Sequence, residues 1–122
     1  MRIIDFVNDY ELHDSFIKSV ENDNNNHTVI LFINFAFWMQ KGYVEGTPEN
    51  GVIKAVFYNV REFKCEDGDP AGAFVGILNA EYKDGSLVIS MLDDETVSYF
   101  DLVIVADEVT VTVEQNGNDI GL

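Results

Sequence analysis

The most hydrophobic run of the chain covers residues 28–38, with the sequence TVILFINFAFW. In an extended strand, successive side chains point to opposite faces. One face would carry Val29, Leu31, Ile33, Phe35 and Phe37, and the other would carry Ile30, Phe32, Asn34, Ala36 and Trp38. Because both faces are mainly apolar, we predict a central strand that other segments cover on both sides.

Shorter runs of alternating apolar and polar residues flank this strand. They predict further strands at residues 16–21, 51–64, 75–82, 87–92, 97–106 and 109–113. Asp84-Gly85 is typical of a type I′ hairpin turn, because Gly readily adopts a positive φ. The connections are too short for parallel crossovers. The pattern predicts an α+β, mostly β fold, an antiparallel meander of about seven strands arranged as a curved sheet or a sandwich.

An amphipathic segment precedes the first strand. Ile3, Phe6, Val7 and Tyr10 follow the i, i+3, i+4, i+7 spacing of a helix. We predict one short N-terminal helix over residues 3–12, lying across one face of the sheet. A chain of 122 residues can bury one hydrophobic core, so we expect a single domain, residues 1–122, with a tail from residue 116.

The charge of the chain is strongly negative and unevenly distributed. The formal net charge is −15. Residues 1–64 carry nine acidic and six basic side chains, a balance of −3, whereas residues 65–122 carry thirteen acidic side chains and one lysine, a balance of −12. Such a field repels nucleic acid and anionic lipid and attracts cationic partners. The alternative interpretation is that the charge serves solubility alone.

The expected compartment is the cytoplasm. No apolar run reaches the roughly 20 residues of a membrane-spanning helix. The residues after Met1 include an acid where a signal peptide would be apolar. Cys65 is the single cysteine, so an internal disulfide cannot form, as is usual in a reducing compartment.

The segment His13-Asp14-Ser15 contains the three residue types of a nucleophilic triad. Triad members are brought together by the fold, however, and no G-x-S-x-G elbow is present. We therefore favour a structural role, in which Asp14 or Ser15 caps the junction between helix and strand and His13 packs nearby.

Other chemistry receives little support from the residues. Two histidines and one cysteine lack the spacing of a zinc site, and an EF-hand frame starting at Asp67 has Leu78 where the final glutamate is needed. Asp101 interrupts an apolar strand, which indicates an edge position, a solvent-facing side chain or a partner such as Arg61 or Lys54. We expect no catalytic residues, no metal site and no cofactor.

The segment Tyr10-Glu-Leu-His-Asp-Ser-Phe-Ile17, followed by a hydrophobic strand ending in Trp38, resembles a group of small, uncharacterised bacterial β-rich proteins. These proteins share a Leu-His-Asp-Ser-type motif ahead of the first strand. Some of them are assigned as immunity proteins of polymorphic toxin systems. The resemblance implies a compact domain and a toxin-neutralising role, and it assigns no catalytic residue.

The charge and the resemblance together predict a non-catalytic protein-binding domain with a cationic protein partner, such as a basic toxin. The expected partner-binding residues lie in two acidic loops: Glu66, Asp67 and Asp69 in one, and Asp93, Asp94 and Glu95 in the other. A module that binds through a sheet edge, and a homo-oligomer, are further alternatives. The alternative of another class is a small-molecule-binding or enzymatic domain with a cleft near His13, Asp14 and Trp38.

Overall fold

A computed structural model describes residues 1–114 of the chain. The tail predicted from residue 116 lies outside the described residues. The elements, in chain order, are α1 (Ile3–Asp9), β1 (Phe16–Asp23), β2 (Thr28–Ala36), a 3₁₀ turn (Phe37–Met39), β3 (Asn50–Tyr58), β4 (Glu62–Cys65), β5 (Val75–Lys83), β6 (Ser86–Asp93), β7 (Ser98–Val105) and β8 (Glu108–Val113). The predicted class, mostly β with one short N-terminal α-helix, is confirmed.

All eight strands belong to one antiparallel sheet with the order β4-β7-β6-β5-β1-β2-β3-β8. The predicted meander therefore occurs twice, as β1-β2-β3 and as β5-β6-β7. The last strand of each half is exchanged, because β4 pairs with β7 and β8 pairs with β3. The predicted strand over residues 51–64 is wrong. It is broken at Asn59, which has a φ of 54°, into β3 and β4 at opposite sides of the sheet.

The sheet curls on itself. In a flat sheet of this order, β3 and β4 would lie about 29 Å apart, at about 4.8 Å per strand. The connection from Tyr58 to Glu62 can span at most about 15 Å. The connection from β3 to β4 and the connection from β7 to β8 are hydrogen-bonded to each other. The Arg61 N–H donates to the Val105 carbonyl at 2.8 Å, and the Asp107 N–H donates to the Tyr58 carbonyl at 3.1 Å. The edge strands β4 and β8 nevertheless remain unpaired with each other within residues 1–114.

One hydrophobic core lies inside the curl, and every second residue of most strands points into it. The largest fully buried side chains are Phe6, Leu12, Ile17, Leu31, Ile33, Ile53, Phe57, Ile77, Leu87, Ile89, Met91 and Leu102. They come from both halves of the sheet and from the N-terminal segment, and they form a single cluster. Burial of this common face gives the curled sheet its stability.

The helix α1 packs on the inner face of the sheet. Its Phe6 is fully buried, and the Phe6 ring meets the ring of Phe57 on β3 edge to face, with centroids 5.8 Å apart. The ring of Tyr10, just after the helix, meets that of Phe35 on β2 at the same centroid distance. No helix among residues 1–114 is both long enough and apolar enough to cross a membrane.

The prediction that both faces of the central strand are covered is wrong. On β2, Val29, Leu31, Ile33 and Phe35 are buried, whereas the residues between them are only half-buried. α1 adds to the covered inner face and leaves the outer face open. Lys54 covers part of that face, because its Nζ lies 5.8 Å from the centre of the Phe32 ring.

Candidate functional site

The Leu-His-Asp-Ser segment holds the two halves of the sheet together. The buried Ser15 hydroxyl accepts a hydrogen bond from the Ala36 N–H of β2 at 3.0 Å, and the Ser15 carbonyl accepts one from the Ile77 N–H of β5 at 2.9 Å. The Asp14 N–H donates to the Ile77 carbonyl at 3.1 Å. Leu12 is fully buried in the core. These contacts are structural, but the Ser15 hydroxyl bonds to β2 and does not cap the junction between helix and strand, and the His13 side chain is about half-exposed.

The same three residues do not form a nucleophilic triad. Ser15 is only 2% exposed, and its oxygen already accepts the Ala36 N–H. His13 Nδ1 lies 3.4 Å from Asp14 Oδ2, and both side chains are about half-exposed. Asp14 has a left-handed backbone with a φ of 67°. The hydroxyl and the histidine therefore face different surroundings.

The two halves of the sheet meet at the pair formed by Phe16 of β1 and Gly76 of β5. Beyond this pair the two strands separate, because each strand carries a bulge. The bulge of β1 lies between Ile17 and Ser19, and that of β5 lies between Ile77 and Asn79. The loop between β4 and β5 enters the gap, where the Gly72 N–H donates to the Ile17 carbonyl at 2.9 Å. The joint between the halves is therefore narrow and depends on loops as well as on strand pairing.

An open cleft of about 300 Å³ lies on the outer face above this joint. A cross-strand row runs beneath it, in the order Tyr99, Leu92, Gly76, Phe16 and Asn34. The cleft is lined by Asp14, Ser15, Phe16, Ala73, Gly76, Ile77, Leu78, Leu92 and Asp94. Phe16 and Leu92 provide apolar walls, Asp14 and Asp94 provide two carboxylates, and the lining as a whole is about equally polar and apolar.

The pocket predicted around His13, Asp14 and Trp38 has a partial counterpart in this cleft. Asp14 lines it, whereas Trp38 lies on the 3₁₀ turn after β2 and is 45% exposed. The Trp38 N–H donates to the Glu49 carbonyl at 3.1 Å. Neither Trp38 nor His13 is among the described residues that line the cleft.

The first acidic loop follows β4 and packs against β7. Gly68 lies flat on the Phe100 ring, and a Cβ added there would come within 2.7 Å of it. The Asp69 carboxylate accepts the Ala71 N–H at 3.0 Å and so stabilises the loop itself. The exposed carboxylates of Glu66 and Asp67 remain at the surface. They line a second cleft, of about 380 Å³, together with Lys64, Tyr99, Phe100, Asp101 and Val103.

The second acidic loop connects β6 and β7. The Asp93 carboxylate accepts the N–H groups of Glu95 and Thr96, at 2.9 and 3.3 Å, and thereby holds the turn. The Asp94 N–H donates to the Phe74 carbonyl at 2.9 Å. Phe74 ends the first acidic loop, so the two predicted loops lie next to each other at one end of the sheet.

Unlike Asp69 and Asp93, five exposed acids at this end of the sheet accept no backbone hydrogen bond through their carboxylates within residues 1–114. We call these five residues the acidic rim. They are Glu66, Asp67, Asp94, Glu95 and Asp101. Lys64 lies 3.7 Å from Glu66 and is the cation paired with the rim within the described chain. The exposed side chains of Phe74 (60%) and Tyr99 (69%) stand among these acids.

Sequence reasoning missed part of this surface. Asp101 is exposed on β7, which lies between β6 and β4, so the edge-strand explanation is wrong and its solvent-facing alternative holds. Phe74, Tyr99 and Gly76 carried no signal, because an aromatic residue in a turn or strand, or a glycine in a strand, is as compatible with a core as with a binding surface. Their position became evident only from the pairing of the strands.

The half-buried Cys65 lies close to acids of this surface. The pKa of the Cys65 thiol is raised above its usual value, first by burial and then by the negative charges of Asp69 and Asp101. The thiol of Cys65 donates to the Gly68 carbonyl at 3.5 Å. A raised pKa keeps this sulfur protonated and weakly nucleophilic. Among residues 1–114, no group of three histidine, cysteine or carboxylate side chains has the arrangement to hold a metal ion.

Comparisons with protein-family models, with curated proteins and with solved structures gave no match to this chain. The resemblance noted for Tyr10-to-Ile17 therefore remains an expectation, and a function has to be argued from the site alone.

Proposed function

We propose that this domain is a non-catalytic binding protein whose acidic rim receives a basic protein, and that it acts as an immunity protein against a basic toxin. The observation that carries the proposal is the mixture of exposed aromatic rings and exposed carboxylates at one end of the sheet. Phe74 and Tyr99 lie among the acids of the rim. Exposed apolar groups with a charged border are typical of protein-binding surfaces.

The two kinds of side chain would act at different stages of binding. The negative field of a chain with a net charge of −15 attracts a basic protein and raises its association rate. Buried aromatic rings usually supply much of the final affinity, because they exclude water over a large area. Phe74 and Tyr99 are the available anchors, and the rim acids would surround them.

The experiment starts from the gene next to the one encoding this chain. Its product is expressed in cells with and without this protein, and growth is recorded. We expect the product to stop growth and this protein to restore it. Binding of the purified pair, measured by calorimetry, should weaken steeply as salt increases, because exposed charge pairs are screened.

A pair of triple variants separates a specific surface from overall charge. One neutralises three rim acids (Glu66→Gln, Asp67→Asn and Asp101→Asn), and the other neutralises three exposed acids of the first half (Glu21→Gln, Glu45→Gln and Glu49→Gln). Both remove the same charge. We expect the rim variant to bind about tenfold more weakly and the other to change little, since each exposed ion pair contributes about 0.2–1 kcal/mol. Equal losses in both would contradict the assignment of the surface.

The alternative, a small-molecule-binding or enzymatic domain near Asp14, has one observation in its favour, the cleft of about 300 Å³. This volume is at the lower limit of ordinary ligand pockets, and the cleft is open to solvent. Its two carboxylates belong to Asp14 and Asp94, and the buried Ser15 hydroxyl is engaged with backbone. These features suit a side chain of a larger partner better than a free substrate.

A further inference from the structure

We propose that the cleft above Gly76 is a specificity pocket for one arginine or lysine side chain of the basic partner. The aliphatic part of that side chain would lie over Gly76 between Phe16 and Leu92, and its charged end would lie between the carboxylates of Asp14 and Asp94. This assignment rests on the proposed function and adds a definite recognition element to it.

The first argument is the shape of the cleft. Phe16 and Leu92 belong to the strands on either side of Gly76, so their backbones are about 10 Å apart, two strand spacings. A Cβ placed on Gly76 would have no heavy atom within 4 Å. The neighbouring phenylalanine therefore does not cover the glycine, and a gap one side chain wide remains open between two apolar walls.

The second argument is the charge of the lining. Asp14 and Asp94 come from different segments, the turn before β1 and the turn after β6, and both line the cleft. His13 lies 3.4 Å from Asp14, and within residues 1–114 no lysine or arginine pairs with either carboxylate. Apolar walls that end in carboxylates match the side chains of lysine and arginine, which have an aliphatic stem and a cationic head.

A second copy of this chain and an apolar ligand both fit the cleft less well than a basic side chain. A second copy of this chain would bring its own net charge of −15 towards the rim, and the two copies would repel each other. An entirely apolar ligand would leave two carboxylates facing a dry surface, which is unfavourable. The cleft also adjoins Phe74 through the hydrogen bond of Asp94, so one partner can contact the cleft and the rim together.

The test uses the full chain and a defined probe, Nα-acetyl-arginine N-methylamide, titrated into ¹⁵N-labelled protein at low salt. Nα-acetyl-norleucine N-methylamide, which lacks the charge, is the matched probe. We expect the largest amide shifts at Gly76, Leu92 and Asp94 with the arginine probe, and at least about fivefold weaker binding of the norleucine probe, given the worth of charge-assisted hydrogen bonds.

Variants of the pocket complete the test. Gly76→Val should fill the gap, since a Cβ there meets no heavy atom within 4 Å, and should reduce probe affinity at least about fivefold. Ser19→Val places the same side chain on the outer face of β1 and should leave the affinity unchanged. Asp94→Asn should weaken the probe about threefold. Asp84→Asn, which removes the same charge in the turn between β5 and β6, should have no effect.

Unchanged affinity of Gly76→Val for the arginine probe, or equal binding of both probes, would overturn the pocket. It would also be overturned if the amide signals of Gly76, Leu92 and Asp94 shifted with protein concentration in the absence of a probe, because this would indicate that a second copy binds there. The proposed function would fail separately, through absence of growth rescue or of salt-dependent binding. If the partner is bound as tightly by Gly76→Val as by the wild type, the pocket is wrong and the protein-binding function stands.

Discussion

Ser15 offers the most direct test of how the Leu-His-Asp-Ser segment is fixed to β2. Its hydroxyl accepts the Ala36 N–H, and both residues are fully or almost fully buried. Replacement by alanine removes one oxygen and leaves the Ala36 N–H without this acceptor in the interior. An unsatisfied buried donor costs about 1–3 kcal/mol. We therefore expect Ser15→Ala to lower the free energy of unfolding by about 2 kcal/mol, out of a total of about 5–15 kcal/mol for a domain.

The assay is urea unfolding followed by circular dichroism. With a slope of about 2 kcal/mol per molar urea, the midpoint should fall by about 1 M while the slope stays the same. Ser19→Ala is the matched control, because Ser19 is exposed on β1, the strand that follows Ser15, and it should change the free energy by less than about 0.5 kcal/mol. A Ser15→Ala variant as stable as the control would refute the contribution of this buried hydrogen bond.

The remaining predictions concern the turns and the thiol. Val97 is β-branched and has a φ of 54°, so Val97→Asn should relieve strain and raise the free energy of unfolding by about 1 kcal/mol, measured by thermal unfolding. Hydrogen bonds from the Asn26 side chain and backbone lower the pKa of Asp23. The charged carboxylate therefore stabilises the turn fully at pH values above the ordinary pKa of an aspartate. This stabilisation is lost as the pH falls through the lowered pKa of Asp23. Asn26→Ala should move the pKa of Asp23 up towards the ordinary value in an NMR titration, and an unchanged value would contradict this cause. Because the pKa of Cys65 is raised, iodoacetamide at pH 8.5 should modify the folded protein more slowly than the denatured chain, and equal rates would be the contrary result.

The local elements of the fold could be predicted from the sequence because their signals are short-range. The helix spacing of Ile3 to Tyr10, the Asp84-Gly85 turn and the alternation of residues 109–113 each depend on neighbours within a few positions. Val109 is buried and Thr110 exposed, as the alternation predicts. These patterns state which residues share a face, and the structure agrees for most strands.

The pairing of the strands could not be predicted in the same way. The segment around Asn59 contains neither glycine nor proline, and its one sign of a break is the asparagine itself, which tolerates the left-handed backbone that it adopts here. The exchange of β4 and β8 depends on contacts between residues far apart in sequence. The joint between the two halves, the cleft above it and the internal position of Asp101 all depend on such long-range pairings.

The open outer face of β2 shows why apolar character alone misled the sequence analysis. Ile30 and Phe32 are as hydrophobic as the residues on the inner face, yet no second layer covers them. Partial cover comes from across the sheet, where Lys54 lies over the Phe32 ring. A long polar side chain can shield an aromatic ring without burying it, and a pattern of single residues does not record such pairs.

The distribution of the acids itself argues against solubility as their full explanation. Asp69 and Asp93 have structural roles, since each accepts backbone hydrogen bonds within its loop. The rim acids accept no such bond within residues 1–114, and crowding like charges at one end destabilises the folded state. Solubility would be served equally by the same charges spread over both halves. The two triple variants distinguish these explanations. Relief of repulsion should raise the free energy of unfolding of the rim variant more than that of its control, whereas its binding to the partner should weaken. Such a trade-off between stability and binding is expected of a functional surface.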